Sequence, residues 1–285
     1  MPYSSVFRPD LFAGQTVVVS GGGTGIGRAI AHELAALGAH PVLCGRRLEP
    51  LQWVQAELAA EGRPATIATL DIRDEPAVEA FFARVMEERG CVHGLVNNAG
   101  GQYLSPAEAI SRKGWQAVVE TNLTGTFLMC REAFKACLGA RGGAIVNVVS
   151  EMWRGFPGMA HSGAARAAVV NLTRTLAVEW ARVGIRINAV APGTIASSGL
   201  EHYGEAGKAV LEEVRHDIPF QRLGTEAEVA AAVTFLLSPG AAYVSGETMR
   251  VDGASSLWRK TWRIEPHARF PELRGFADED EGEGA

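Results

Sequence analysis

Residues 16–20, TVVVS, run directly into GGGTGIG and then into a stretch that places Ile26, Ile30, Leu34 and Leu37 at steps of four, four and three. The first segment has the β-branched content of a short buried strand, and the last has the single apolar stripe of a helix lying on a sheet. Gly38 supplies the helix stop. A glycine turn between a strand and a helix lets bare backbone approach a pyrophosphate, whose charge is met by the helix N-terminus beginning near Ile26. Gly21, Thr24, Gly25, Ile26 and Gly27 are therefore the expected phosphate-side residues of a dinucleotide site.

The same alternation continues along the chain. Further strands are expected at 41–44, 65–70, 94–99, 144–150, 185–191 and 248–253, with helical periodicity between them. Asp74 and Pro76 mark the start of one of those helices. Seven strands joined by helices predict an α/β fold of Rossmann type, a doubly wound parallel seven-stranded sheet with helices on both faces. No repeat or linker interrupts residues 1–254, so one domain is expected there, followed by a C-terminal extension over 255–285. That extension carries two tryptophans and several arginines, and is expected to be a solvated or intersubunit arm.

Charge narrows the class. The chain has 27 basic and 32 acidic residues, and Asp278, Glu279, Asp280, Glu281 and Glu283 all lie in the closing ADEDEGEGA. The body is thus electrically balanced, which gives no footprint for nucleic acid or an anionic membrane. The acidic tail itself is expected to be solvated and disordered. Cys44, Cys91, Cys130 and Cys137 have no metal-type spacing and are expected as buried free thiols, with no metal site and a cytoplasmic setting.

In an open parallel sheet, ligands sit beyond the carboxyl ends of the strands. Unusual sequence gathers there: SGGGTGIG, NNAGGQY, SEMWRGFPGM and PGTIASSGL follow strands one, four, five and six. After strand two the chain reads CGRRLEP, so Arg46 and Arg47 stand where NAD-selective sites place an acid. An arginine pair suits a 2′-phosphate, which predicts NADP(H); the alternative is a solvated loop. Met152, Trp153, Phe156, Pro157 and Met159, with Gln102, Tyr103 and Leu104, form an expected apolar substrate rim or, alternatively, ordinary packing. The segment 194–216 is long enough to act as a lid.

In order and spacing, SGGGTGIG, Asp71, NNAG at 97–100, Asn122 in TNLTGTF, IVNVVS and the PG at 192–193 resemble the short-chain dehydrogenase/reductase family over roughly residues 10–255. The resemblance implies that Asp71 and Ile72 hold the adenine and that Asn97, Ala99 and Gly100 support the cofactor. It implies that Pro192, Gly193 and Ile195 border the nicotinamide, and that the assembly is a homotetramer. Most members carry Tyr-x-x-x-Lys on the helix after strand five; here that register holds Ser162 and Arg166. NNAGGQYLSP and HSGAARAAVV resemble the 2,4-dienoyl-CoA reductase branch, while the stretches MWRGFPGMAHSGAARA and IASSG resemble bacterial citronellol/citronellal dehydrogenases.

These resemblances imply a catalytic set of Asn122, Ser150, His161, Ser162 and Arg166, with Arg166 also supplying a cation to the cofactor ribose. Ser162 has the alternative of capping a helix and His161 that of an ordinary hydrogen-bonded loop residue. Glu151 either orients His161 or faces water. Reduction of an enoyl thioester calls mainly for hydrogen-bond donors around a developing oxyanion, whereas alcohol oxidation needs a base, for which His161 is the candidate. Enoyl- or dienoyl-CoA reduction is the first expectation, terpenoid alcohol dehydrogenation the second, and cofactor binding with little catalysis the third.

Overall fold

The computed structural model describes residues 3–197, 213–259 and 261–276. Its main sheet is fully parallel, in the order β3-β2-β1-β4-β5-β6-β9. The strands are β1 (Thr16–Ser20), β2 (His40–Gly45), β3 (Thr66–Thr69), β4 (Gly94–Asn97), β5 (Gly143–Val148), β6 (Ile185–Pro192) and β9 (Thr248–Val251). A two-stranded ribbon, β7 (Ile195–Ala196) with β8 (Gly224–Thr225), lies outside it. The expected seven strands are thus all present, each within two residues or so of its expected bounds.

Strand order reverses between β1 and β4, which opens a crevice at their carboxyl ends. The helices around the sheet are α1 (Gly25–Ala36), α2 (Leu48–Ala60), α3 (Glu75–Arg89), α4 (Arg112–Val119), α5 (Gly125–Ala133), the short α6 (Gly139–Arg141), α7 (Ala160–Glu179) and α8 (Glu226–Leu237). One core joins α1, α2 and α8 to the sheet through residues such as Ile30, Leu34, Leu51, Leu58 and Val233. The other face packs Val78, Phe82, Met129, Leu138 and Leu176 against it. Among the described residues no helix is long and apolar enough to cross a membrane.

Local chemistry sets the element ends. Asp74 caps α3 by accepting from the Ala77 N–H at 3.2 Å, and Gly90 closes that helix in the left-handed region at φ 72°. Thr225 and Glu228 form a reciprocal capping box at the start of α8. Between α4 and α5 a π turn, Glu120–Thr124, interrupts the helical run and carries Asn122. All four cysteines are free and buried.

Within the C-terminal arm, residues 267–276 run along their own chain, with most of them exposed. The Phe270 ring stacks on Phe220 at 3.7 Å, and Thr225 Oγ1 donates to the Leu273 carbonyl at 2.6 Å. Phe276 sits edge-on to Tyr3 and His32, with the Arg28 guanidinium 4.1 Å above its ring. Aromatic contacts anchor the arm at Phe270 and Phe276 while Arg269, Glu272 and Arg274 stay exposed, a division its composition alone conceals. The acidic residues 278–283 and most of the expected lid, 198–212, lie outside the described residues. Phe276→Ala is expected to cost about 2 kcal/mol and to lower Tm by roughly 4–8 °C in a thermal melt. An unchanged Tm would show that docking of the arm adds no stability.

Candidate active site

The glycine turn is held by close approach. A Cβ on Gly27 would lie 2.0 Å from the Gly21 carbonyl oxygen, and Gly21 and Gly25 adopt φ values of 67° and 56°. A side chain at Gly27 would displace backbone, and the left-handed φ at Gly21 and Gly25 favours glycine there. Thr24 precedes α1 in an extended conformation, and its side chain makes no cap bond. No acidic residue lies in the first turn of α1, so no side chain of that turn opposes the positive end of the helix dipole. This donor set fits a dinucleotide pyrophosphate. A recess beside it is lined by Thr24, Arg28, Trp53, Ser197 and Glu226.

Asn98 braces the turn, donating from Nδ2 to the Ser20 and Gly21 carbonyls at 3.2 and 3.1 Å. Ser20 Oγ in turn accepts from the Asn98 and Ala99 N–H groups, both at 3.1 Å. Asn97, the expected cofactor residue, instead points its amide into the interior, donating to Asn147 Oδ1 at 2.8 Å. Asn147 then donates to Thr173 Oγ1 at 2.9 Å. Side-chain alternation at the end of β4 explains the exchange, since neighbours in a strand face opposite ways. That alternation was the signal available in the sequence for Asn98 and Ser20.

At the adenine side, Asp71 is paired with Arg73, whose hydrogen bonds hold its carboxyl below the usual aspartate range. Ile72 is buried against Gly125, and Arg46 and Arg47 are exposed just beyond β2. Pro192 ends β6, Gly193 lies against Asp252, and the Ile195 side chain is buried in the α1–α8 core.

The helix after β5 begins at Ala160 with Met159 in the cap position, so Ser162 lies within the first turn and does not cap it. Ser162 Oγ donates to Gln102 Oε1 at 2.8 Å and accepts from Arg166 Nε at 3.3 Å. Arg166 Nη1 donates to the Val148 carbonyl at 3.1 Å, and its Nη2 lies beside exposed Gly100 and Asn122. Among the described residues Arg166 has no carboxylate partner, and burial pulls its pKa down to about 10, so it remains a cation at neutral pH. Asn122 is less available than expected: both its amide atoms are spent on Gly101, Oδ1 at 2.8 Å and Nδ2 at 3.0 Å.

His161 is fully buried, its ring edge-on to Tyr103 at 4.4 Å. Its Nδ1 accepts from the Ser162 N–H at 2.9 Å, so a neutral ring carries its proton on Nε2. That Nε2 and Ser150 Oγ are buried polar atoms with no partner among the described residues. Burying a donor without an acceptor costs about 1–3 kcal/mol, a cost folding accepts mainly where a ligand completes the bond.

Around these groups, Tyr103, Leu104 and Trp153 are exposed, and Phe156 and Met159 half-buried. The Ser105 N–H donates to the Gly158 carbonyl at 2.8 Å, tying the loop after β4 to the loop after β5. Met152 turns inward to a small core with Val149 and Val169, and Trp153 carries Arg250 over its ring at 4.3 Å. The expected rim therefore divides, with Met152 in packing, Tyr103, Leu104 and Trp153 exposed, and Phe156 and Met159 between the two.

Asn98→Ala removes both bonds to the turn and is expected to weaken dinucleotide affinity about tenfold by calorimetric titration, with the sheet intact. Unaltered affinity would make Asn98 mere filler.

The family profile described as enoyl-(acyl carrier protein) reductase matches residues 21–255. The peroxisomal 2,4-dienoyl-CoA reductase of Mus musculus is 38% identical over 257 residues, covering 89% of this chain and 87% of that protein. The solved citronellol catabolism dehydrogenase AtuB of Pseudomonas aeruginosa is 52% identical, with a TM-score of 0.81 over 89% of this chain and 100% of that one. An actinorhodin polyketide ketoreductase solved with NADPH is 32% identical, with a TM-score of 0.81 over 88% of this chain and 100% of that one. With its reversed strand order, glycine turn and matched length, the chain belongs to the short-chain dehydrogenase/reductase family of oxidoreductases.

Proposed function

We propose that this protein reduces an enoyl- or dienoyl-CoA thioester with NADPH, through a site that stabilises an oxyanion by hydrogen bonds and has no phenol at the head of α7. The observation that carries this reading is the pair of buried, unpartnered donors, Ser150 Oγ and His161 Nε2, on the segment that also holds the unpaired Arg166. A thioester oxygen gains negative charge as the conjugated alkene accepts hydride, and donors already in place stabilise that charge without reorganising.

The coenzyme, when bound, supplies the hydride. Arg46 and Arg47 would meet a 2′-phosphate, and the absence of an acid directly after β2 removes the usual grip on a free ribose 2′-hydroxyl. Arg166 would face the ribose hydroxyls with Nη2, while Ser162 and the Val148 carbonyl fix its plane. Ser162, whose proton is given to Gln102, positions Arg166 and leaves the substrate to its neighbours. His161 acts as a donor, since its Nδ1 is occupied by a backbone N–H; this removes it as the base that alcohol oxidation would require. The exposed Tyr103 and Leu104 and the half-buried Phe156 and Met159 suit an apolar acyl chain.

A second reading, oxidation of an acyclic terpenoid alcohol, is favoured by the 52% identity to the citronellol catabolism dehydrogenase. Side-by-side absorbance assays with crotonyl-CoA, a dienoyl-CoA and citral separate the two. Oxidation of NADPH by a thioester, at least tenfold faster than oxidation of NADH, is the expected result. Turnover confined to citral, or to citronellol with NADP⁺, would transfer the assignment to the second reading. Tight NADPH binding with no turnover would leave a cofactor-binding protein.

Arg166→Met should leave the unliganded protein no less stable, because it removes an uncompensated cation, while shrinking the NADPH-induced rise in Tm. Loss of stability with an intact rise would contradict this role.

A further inference from the structure

Hydride transfer to a conjugated alkene leaves a proton still to be delivered, and three of the polar groups described above are poorly suited to deliver it. Arg166 holds its proton at neutral pH, Ser162 gives its own to Gln102, and the Tyr103 hydroxyl lies against Gly114 in the first turn of α4. Immediately after Ser150 stands Glu151. Its N–H donates to the Pro192 carbonyl at 3.0 Å, which carries the β5–β6 ladder one step beyond the strand and fixes the residue at the mouth of the crevice. One carboxyl oxygen, Oε1, is buried with no hydrogen-bond partner among the described residues, so two consecutive side chains at this strand end each hold an unsatisfied oxygen. An ionised carboxylate seeks donors on both oxygens, whereas a neutral carboxyl tolerates such a setting.

We infer that Glu151 is the proton-exchanging group of the site, taking the place of the absent phenol as general acid. The proposal rests on the thioester reading above. In the step it performs, hydride adds to the distal alkene carbon and the alkene electrons move toward the thioester oxygen. The electron pair of the resulting enolate then takes a proton at the carbon next to the carbonyl. The O–H bond of the Glu151 carboxyl breaks, directly or through one water, and solvent reprotonates the carboxylate.

Burial, more than the surrounding charges, favours the neutral form. Burial raises the Glu151 pKa and the Asp252 carboxylate raises it further, against the opposing pull of Arg154, Arg250 and the Trp153 N–H. Both arginines are engaged elsewhere, Arg154 with the Trp258 carbonyl at 2.5 Å and Arg250 with the Trp153 ring at 4.3 Å and Ser256 Oγ at 3.4 Å. Asp252 is held by the Ala254 and Ser256 N–H groups at 2.9 and 3.2 Å. An apolar substrate would displace water from the remaining face and push the pKa of Glu151 up again.

The test uses the full chain with NADPH and a dienoyl thioester, comparing Glu151→Gln and Glu151→Asp across pH. A donor must be protonated, so the wild-type rate falls as pH rises through the Glu151 pKa. The Gln variant should lose that limb and about 50-fold or more in kcat at neutral pH, with NADPH affinity, KM and Tm little changed; the Asp variant should recover part of both. Asp252→Asn should move the limb to lower pH by removing the like charge. A Gln variant that keeps the limb, or that loses KM alone, overturns the proposal. If the wild type reduces no thioester, the reading beneath the proposal has failed. NADP⁺-driven alcohol oxidation then tests Glu151 as the base, with Gln expected to abolish the acid limb and an intact limb overturning it.

Discussion

A cation without a counter-charge among the described residues organises this site. The Arg166 guanidinium is held by the Val148 carbonyl, by Ser162 and by proximity to Gly100 and Asn122, and none of these neutralises it. Uncompensated charge at low dielectric is costly, so such a group is kept where a ligand rich in hydroxyls or negative charge completes its surroundings. The neighbouring groups follow from that placement. Ser162 is fixed between Arg166 and Gln102, which leaves Ser150 and His161 as the site's donors with nothing to bind among the described residues.

The scaffold places these groups by means that act far from them. Gly27 against Gly21, braced by Asn98 and Ser20, fixes the N-terminus of α1. The Asn97–Asn147–Thr173 chain ties β4 and β5 to α7, so the strand ends and the helix bearing Arg166 share one buried polar seam. The C-terminal segment closes the other side, with Phe270 on Phe220 and Phe276 against α1. Side chains with few rotamers left can hold donors in place before a substrate arrives.

Much of this was legible in the sequence because it is periodic or steric. The seven strands, the glycine turn, the Asp74 cap and the Gly38 stop follow from patterns spanning a few residues. What was not legible depends on which way a side chain turns or on contacts between distant segments. Asn97 and Asn98 have the same chemistry, and only the strand pleat tells the buried one from the brace. His161 looked like a base by residue type, but the first turn of α7 places a backbone N–H on Nδ1 and makes the ring a donor. Asn122 looked free, and its π turn commits it to Gly101. The arm reads as solvated from its charges, while three phenylalanines and a tyrosine, far apart in sequence, decide its place.

The account comes down to whether neutral donors polarise a thioester carbonyl in this crevice. The infrared carbonyl stretch of a ¹³C-labelled enoyl thioester bound with NADP⁺ reads that polarisation without turnover. Ser150 and His161 acting on the oxygen predict a clear shift to lower frequency relative to the thioester in water, diminished in Ser150→Ala. A bound carbonyl that absorbs at or above its solution frequency would contradict the account.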